Sequence, residues 1–241
     1  MRLLTEESIE KIAIGAAVLG TGGGGDPYVG KLLAKQAIKK YGPVKLISIE
    51  ELEDDALVVP VSGMGAPTIT IEKLLSEVEL TAPLEKMEEL LNKKVDVIIP
   101  IEIGGINSLM PIAVAAQKGL PILDADAMGR AFPEAQMVTF YLAGYKSSPV
   151  TMADEKGNTV VIYPKDGIWA ERLARTLTIE MGGSSSVSDY ALSGKQVKSA
   201  VVENTLTIAE NIGKTLMENR SNAQVGINKM LEDLKGYQLF F

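Results

Sequence analysis

Acidic side chains concentrate in residues 123–134, directly after an apolar run. Asp124 and Asp126 are two positions apart, so both side chains lie on one side of the chain if it is extended. Clustered carboxylates can hold a hard cation or position a water molecule. Arg130 and Glu134 follow in a predicted short helical turn. In the alternative, Arg130 pairs with one of the aspartates and only fixes the loop.

A second candidate group lies in residues 101–108, IEIGGINS, at the end of a predicted buried strand. Open α/β sheets bind ligands at the carboxyl ends of their strands, where Glu102 would emerge. Gly104 and Gly105 would free the backbone there, and Asn107 would cap the next helix. Glu102 is therefore a candidate catalytic carboxylate, whereas Asn107 either binds a ligand or only caps.

Four consecutive glycines, Gly22, Gly23, Gly24 and Gly25, separate a predicted helix from Asp26. No lysine follows them and no strand precedes them, so they match neither a P-loop nor a dinucleotide-binding turn. The run predicts a close approach to the backbone, either by a ligand bound to its N–H groups or by another chain segment at a tight helix–helix corner. We favour the ligand.

A further strand-end loop, residues 62–68, offers Gly63 and Gly65. Loops at one edge of a sheet converge, so the four loops together predict a single small-molecule site. The catalytic candidates are Glu102, Asp124 and Asp126. The predicted substrate-binding residues are Gly22, Gly23, Gly24, Gly25, Asp26, Gly63, Gly65, Gly104, Gly105, Asn107, Arg130 and Glu134.

Composition limits this chemistry. The 241 residues include no histidine and no cysteine, so acid–base catalysis falls to other side chains, and any metal would need oxygen ligands. The identity of a cofactor stays open. The net charge of -7 disfavours nucleic acid and anionic membranes as partners. Charged residues interrupt the apolar N-terminus, and no stretch is long enough to span a membrane, so we expect a cytoplasmic protein.

Strand, loop and helix alternate through residue 126, which predicts parallel βαβ units. The predicted fold is a three-layer α/β/α sandwich with a mainly parallel sheet and β-hairpin additions in the C-terminal half. Residues 62–67 are expected to be a loop, residues 182–194 a strand followed by a turn, and residues 184–186 and Lys195 to lie at the surface. Predicted strands are 44–49, 56–61, 95–101 and 120–126, with a hairpin around 156–158; predicted helices begin at Thr5 and Asp26 and cover 84–91, 107–118, 167–181, 198–217 and 225–234.

Five segments together resemble the DUF917 family, whose N-terminal part is similar to an S-methyl-thiohydantoin desulfurase N-terminal domain. They are LGTGGGGDP, SGMGAPT with Glu72 and Lys73 downstream, EIGGINS, DADAMGRAFPE and GNTVVIY. The resemblance implies that residues 1–241 form the N-terminal α/β domain, and that the smaller β-rich domain of the family is absent here. It also implies hydantoinase-type chemistry, sulfur removal from thiohydantoins in some members, and a site at Gly22 to Asp26, Glu102, Asn107, Asp124, Asp126, Arg130 and Glu134.

Our first hypothesis is a hydrolase of a small cyclic amide or thioamide. Asp124 or Glu102 would activate water, glycine N–H groups would stabilise developing negative charge, and Arg130 would bind a substrate carboxylate. A second hypothesis is a non-catalytic subunit that binds a small metabolite.

A third hypothesis is an assembly partner, either of a second copy or of a hydantoinase-type protein. The apolar end, Gln238 to Phe241, reads as the start of a strand. It indicates either inward packing or a fragment of a longer protein.

Overall fold

A computed structural model describes residues 1–73 and 75–234, and a mixed sheet runs through this part of the chain. In spatial order its strands are β1 (Arg2–Leu4), β2 (Val44–Ile47), β5 (Ile122–Leu123), β4 (Val97–Pro100), β3 (Leu57–Gly65), β9 (Ser184–Ser188), β7 (Val150–Ala153) and β8 (Thr159–Ile162). Strands β2, β5, β4 and β3 are parallel to one another, β1 is antiparallel at one edge, and β9, β7 and β8 are antiparallel beyond β3. The short β10 (Leu192–Ser193) also pairs with β3, while β6 (Ala125–Asp126) and β11 (Val202–Glu203) pair with each other.

Helices occupy both sides of the sheet. They are α1 (Glu6–Gly20), α2 (Pro27–Tyr41), α3 (Pro67–Glu72), α4 (Glu77–Leu91), α5 (Met110–Lys118), α6 (Thr139–Leu142), α7 (Gly167–Glu180), α8 (Gly194–Lys198), α9 (Thr205–Glu218) and α10 (Ala223–Asp233). The predicted starts of the first two helices are confirmed: Thr5 caps α1, and Asp26 caps α2 with Pro27 in its first turn.

The central strands are apolar throughout because both faces are covered. Ile98 joins one buried cluster, with residues of α1, α2, α4 and α5. Its neighbours Val97 and Ile99 point the other way, into a second cluster that contains Phe140 and Tyr190. The predicted α/β fold with a mostly parallel sheet and antiparallel additions is confirmed.

Strand β3 carries a proline where its antiparallel partner is irregular. Leu192 pairs with Val58 and Val187 pairs with Ser62. Between these two pairs, β3 has three residues, 59–61, whereas the opposite segment, from β9 toward β10, has four, 188–191. The extra residue makes a β-bulge, and Tyr190 within it has φ = +39°. Pro60 lies opposite the bulge, where its missing N–H removes no ladder hydrogen bond.

Three expectations about individual segments are wrong. Residues 62–65 continue β3 and pair with β9 instead of forming a loop. Residues 184–186 are a buried strand and not surface, because β9 lies between β3 and β7. The helix expected over 198–217 begins only at Thr205, because β11 precedes it and pairs with β6. The expected exposure of Lys195 is confirmed, whereas the segment 238–241 lies outside the described residues.

Helices α1 and α9 pack with their backbones in contact. A Cβ added to Gly15 would lie 1.9 Å from the carbonyl oxygen of Ala209, and one added to Gly213 would lie 1.8 Å from that of Lys11. Glycine at these two positions therefore sets the distance between the helices.

We expect Gly15→Ala to lower the free energy of unfolding by about 1–3 kcal/mol, because the helices must separate to admit the methyl group. Urea denaturation would measure it. The control is Gly226→Ala in α10, whose Cβ would come no closer to another atom than 3.3 Å, the distance to the Cβ of Asn219. Equal stability of the two variants would contradict the backbone contact.

Candidate functional site

A cavity of about 250 Å³ lies where β3 and β4 end. Its walls come from the end of β3, the turn after β4, strand β9, helix α7 and the glycine run. The position agrees with the predicted convergence of strand-end loops, and among the predicted residues Gly24, Gly25, Gly63, Gly65, Glu102 and Asn107 line the wall.

Glu102 is buried in this wall, with 3% of its surface exposed. One carboxyl oxygen accepts a hydrogen bond from Asn107 Nδ2 at 2.6 Å, and the other accepts one from the Phe132 N–H at 2.8 Å. Removal from water raises the pKa of Glu102 to about 7, and these hydrogen bonds only partly oppose the shift. A carboxyl with such a pKa can both take and return a proton near neutral pH.

Asn107 connects Glu102 to strand β3. Its Oδ1 accepts a hydrogen bond from the Gly63 N–H at 2.8 Å, and its Nδ2 donates to the Gly63 carbonyl at 3.2 Å. Strand β4 has ended at Pro100, so the Asn107 amide acts as a substitute for the missing neighbouring peptide. The expected capping role is wrong, because Asn107 lies inside the 3-10 helix Gly105–Ser108 and Leu109 precedes α5.

Asp126 is fully buried behind this turn. It accepts hydrogen bonds from the N–H groups of Ile103, at 2.6 Å, and Gly129, at 2.9 Å. Burial raises its pKa to about 7. Asp126 does not line the cavity, and its bond to Ile103 holds the residue next to Glu102 in place.

Asp189 lines the cavity from the bulge opposite Pro60. It is 7% exposed, and no hydrogen bond or ion pair to it exists within residues 1–73 and 75–234. Burial alone raises its pKa to about 7. Sequence reasoning missed this residue, although a proline inside an apolar strand indicates a bulge in the partner strand.

Helix α7 contributes Glu171 and Arg175, which sequence reasoning also missed. Glu171 is buried and accepts hydrogen bonds from the Ala135 N–H, at 2.9 Å, and from Arg175 Nε. Arg175 also donates to the Pro133 carbonyl at 3.3 Å. Their spacing of four residues on a helix was the available signal for an ion pair.

The glycine run packs against the turn that carries Glu102. The Ile106 N–H donates to the Gly24 carbonyl at 2.7 Å. A Cβ on Gly24 (φ = +76°) would lie 2.2 Å from the Gly104 carbonyl oxygen, and one on Gly105 (φ = +58°) would lie 2.3 Å from the Gly24 carbonyl oxygen. Another segment of the chain therefore approaches this backbone.

The predicted binding residues of the glycine run lie in different surroundings. Gly24 and Gly25 reach the cavity, whereas Gly22 and Gly23 are exposed and Asp26 caps α2.

The remaining predicted site residues lie outside the cavity wall. The Asp124 carboxylate accepts hydrogen bonds from the N–H and Oγ1 of Thr207 and thereby caps α9. Arg130 is exposed and donates to the Ala131 carbonyl, and Glu134 is exposed and accepts from Gln136. The two aspartates expected on one side of the chain thus have partners on different elements.

Within the described ranges, no cluster of three or more acidic side chains has the geometry to hold a metal ion. Among the same residues, no helix is long and apolar enough to cross a membrane.

Comparison with known families agrees with this architecture. Residues 7–164 match the model of the S-Me-THD-like N-terminal domain, and residues 165–241 match that of the S-Me-THD-like C-terminal domain. The chain belongs to the S-Me-THD-like family. The sequence predicts one domain over 1–241, whereas the family models divide the chain after residue 164. In the sheet, however, strand β9 of the second S-Me-THD-like region lies between β3 and β7 of the first.

A solved relative has the same fold. The crystal structure of a protein from Chromobacterium violaceum superposes on all of this S-Me-THD-like chain and on 69% of its own chain, with a TM-score of 0.87 and 25% sequence identity. No protein with a curated description matches the sequence.

The raised pKa of Asp189 predicts a specific dependence of stability on pH. The folded chain keeps this proton up to about pH 7, whereas the unfolded chain releases it near the ordinary value of 3.8. The free energy of unfolding therefore falls as pH rises between these values, by up to about 1.4 kcal/mol per pH unit for this group. Between pH 5 and 6.5 we expect Asp189→Asn to show a shallower fall than the unsubstituted protein in urea denaturation. Parallel curves would contradict the assignment.

Proposed function

We propose that this chain hydrolyses a small cyclic amide or thioamide, of the hydantoin or thiohydantoin kind, in the cavity beside Glu102. The observation that carries the proposal is a buried carboxyl with a pKa of about 7 in the wall of a cavity large enough for a five-membered ring. The description of the S-Me-THD-like family supports the choice of ring.

Glu102 is the proposed general base and acid. In its ionised form it takes a proton from water, whose oxygen adds to a ring carbon. The bond from that carbon to nitrogen or sulfur then breaks, and the leaving atom takes the proton from Glu102. Loss of nitrogen gives a ring-opened acid, whereas loss of sulfur from an S-alkyl thiohydantoin gives a hydantoin and a thiol.

Developing negative charge on the ring needs hydrogen-bond donors. The N–H groups of Gly24 and Gly25 have no acceptor within the described structure, and both residues lie in the cavity wall, so they are the proposed donors. Asn107 is a positioning residue, since its amide is already bonded to Gly63 and Glu102.

Fewer residues have catalytic or substrate-binding roles in this proposal than in the sequence-based hypothesis. Asp124 caps α9 and Arg130 is exposed, so neither is given a catalytic step. Asp126 is given the role of fixing the turn that holds Glu102.

We expect Glu102→Gln to lower the turnover of hydantoin or S-methyl-thiohydantoin by about 10²–10⁴-fold, because the amide cannot take the proton. Release of thiol or ring-opened acid, followed by chromatography, measures it. The control is Glu79→Gln, which removes a carboxyl that is equally buried, with a pKa also raised to about 7, but outside the cavity.

Unchanged turnover in Glu102→Gln would overturn the catalytic assignment. Ring binding without turnover in the unsubstituted protein would instead support the metabolite-binding alternative. Thermal unfolding of both variants shows whether a lost activity reflects a lost fold.

A further inference from the structure

Asp189 differs from every other buried acid that the structure describes. Eight aspartates and glutamates are buried, and seven of them accept at least one hydrogen bond from an N–H, an O–H or a lysine. Asp189 alone accepts none. An unpaired polar group in a protein interior costs free energy, so its partner is expected to come from what fills the cavity.

The backbone on both sides of Asp189 is fixed. The Ser188 carbonyl accepts a hydrogen bond from Thr151 Oγ1 at 3.1 Å, and β9 is paired with both β3 and β7. Tyr190 is 1% exposed and packs against Phe140 with ring centroids 5.7 Å apart. Asp189 is therefore held at the cavity by anchored neighbours.

The charges around the cavity disfavour an acidic ligand. The described lining includes three carboxyls, those of Glu102, Glu171 and Asp189, and one cation, Arg175. Arg175 is already bonded to Glu171 and to the Pro133 carbonyl. Among the described lining residues, no cation is therefore left to pair with a substrate carboxylate, whereas a neutral ligand with N–H groups needs none.

The protonation state of Asp189 determines which hydrogen-bond donors and acceptors it presents to a ligand. Burial raises its pKa to about 7, so at slightly acid pH it is a carboxylic acid with one O–H donor and one carbonyl acceptor side by side. A ring amide is held cis, which places its N–H and C=O on the same edge. An open-chain amide is trans and presents these groups on opposite edges.

We propose that Asp189 is the specificity-determining residue of the cavity and pairs through two hydrogen bonds with the N–H and C=O edge of a cyclic amide that carries no carboxylate. This inference rests on the proposed function for its site and deepens it. It replaces the substrate carboxylate of the sequence-based hypothesis with a neutral lactam edge.

The test compares hydantoin with 1,3-dimethylhydantoin by NMR titration at pH 6. Methylation removes both ring N–H groups, and we expect it to weaken binding at least about tenfold. Asp189→Asn keeps one donor and one acceptor, so it should retain the preference for hydantoin over its dimethyl form. Asp189→Leu keeps a branched side chain of the same length but offers neither group, and should lose that preference.

The outcomes separate this inference from the proposed function. Equal affinity of the unsubstituted protein for the two rings, or an unchanged preference in Asp189→Leu, overturns the role of Asp189, while turnover that depends on Glu102 would leave the proposed function intact. Failure of hydantoin, thiohydantoin and S-methyl-thiohydantoin all to bind overturns both. The comparison of two rings on the unsubstituted protein does not depend on either variant folding.

Discussion

The hydrogen bonds between the Asn107 side chain and the Gly63 peptide are the constraint around which the site is arranged. Strand β4 is only four residues long, whereas β3 continues beyond it, so this edge of β3 would otherwise be left without a partner. One side-chain amide supplies both a donor and an acceptor to that edge, and its second N–H holds Glu102. The end of the sheet and the orientation of the carboxyl are therefore set by the same group.

The glycine-rich segments are best understood as one packing unit. The backbone of Gly24 lies so close to Gly104 and Gly105 that no Cβ fits on either side of the contact. This contact brings the turn between α1 and α2 against the turn that carries Glu102. Close approach was predicted correctly from four consecutive glycines, but the sequence alone could not show that the approaching group is the chain itself.

Local signals in the sequence were sufficient for much of the fold. The caps at Thr5 and Asp26, the apolar strands and the hairpin around Gly157 all follow from short-range chemistry. The position of Asp189 depends on the pairing of β9 with β3, which joins residues 119–125 positions apart and which no local pattern encodes. Asp124 illustrates the same limit, because its role as a cap comes from Thr207, far along the chain.

The pairing of β3 with β9 has a consequence for how this protein can evolve. The two family regions meet in sequence after residue 164, yet residues 62–65 of the first are covered by residues 184–187 of the second. Separation at that boundary would expose a strand edge, which invites aggregation, and would remove Asp189 from the cavity. Neither region can therefore be exchanged as an independent module, and substitutions along β3 and β9 are expected to be inherited together.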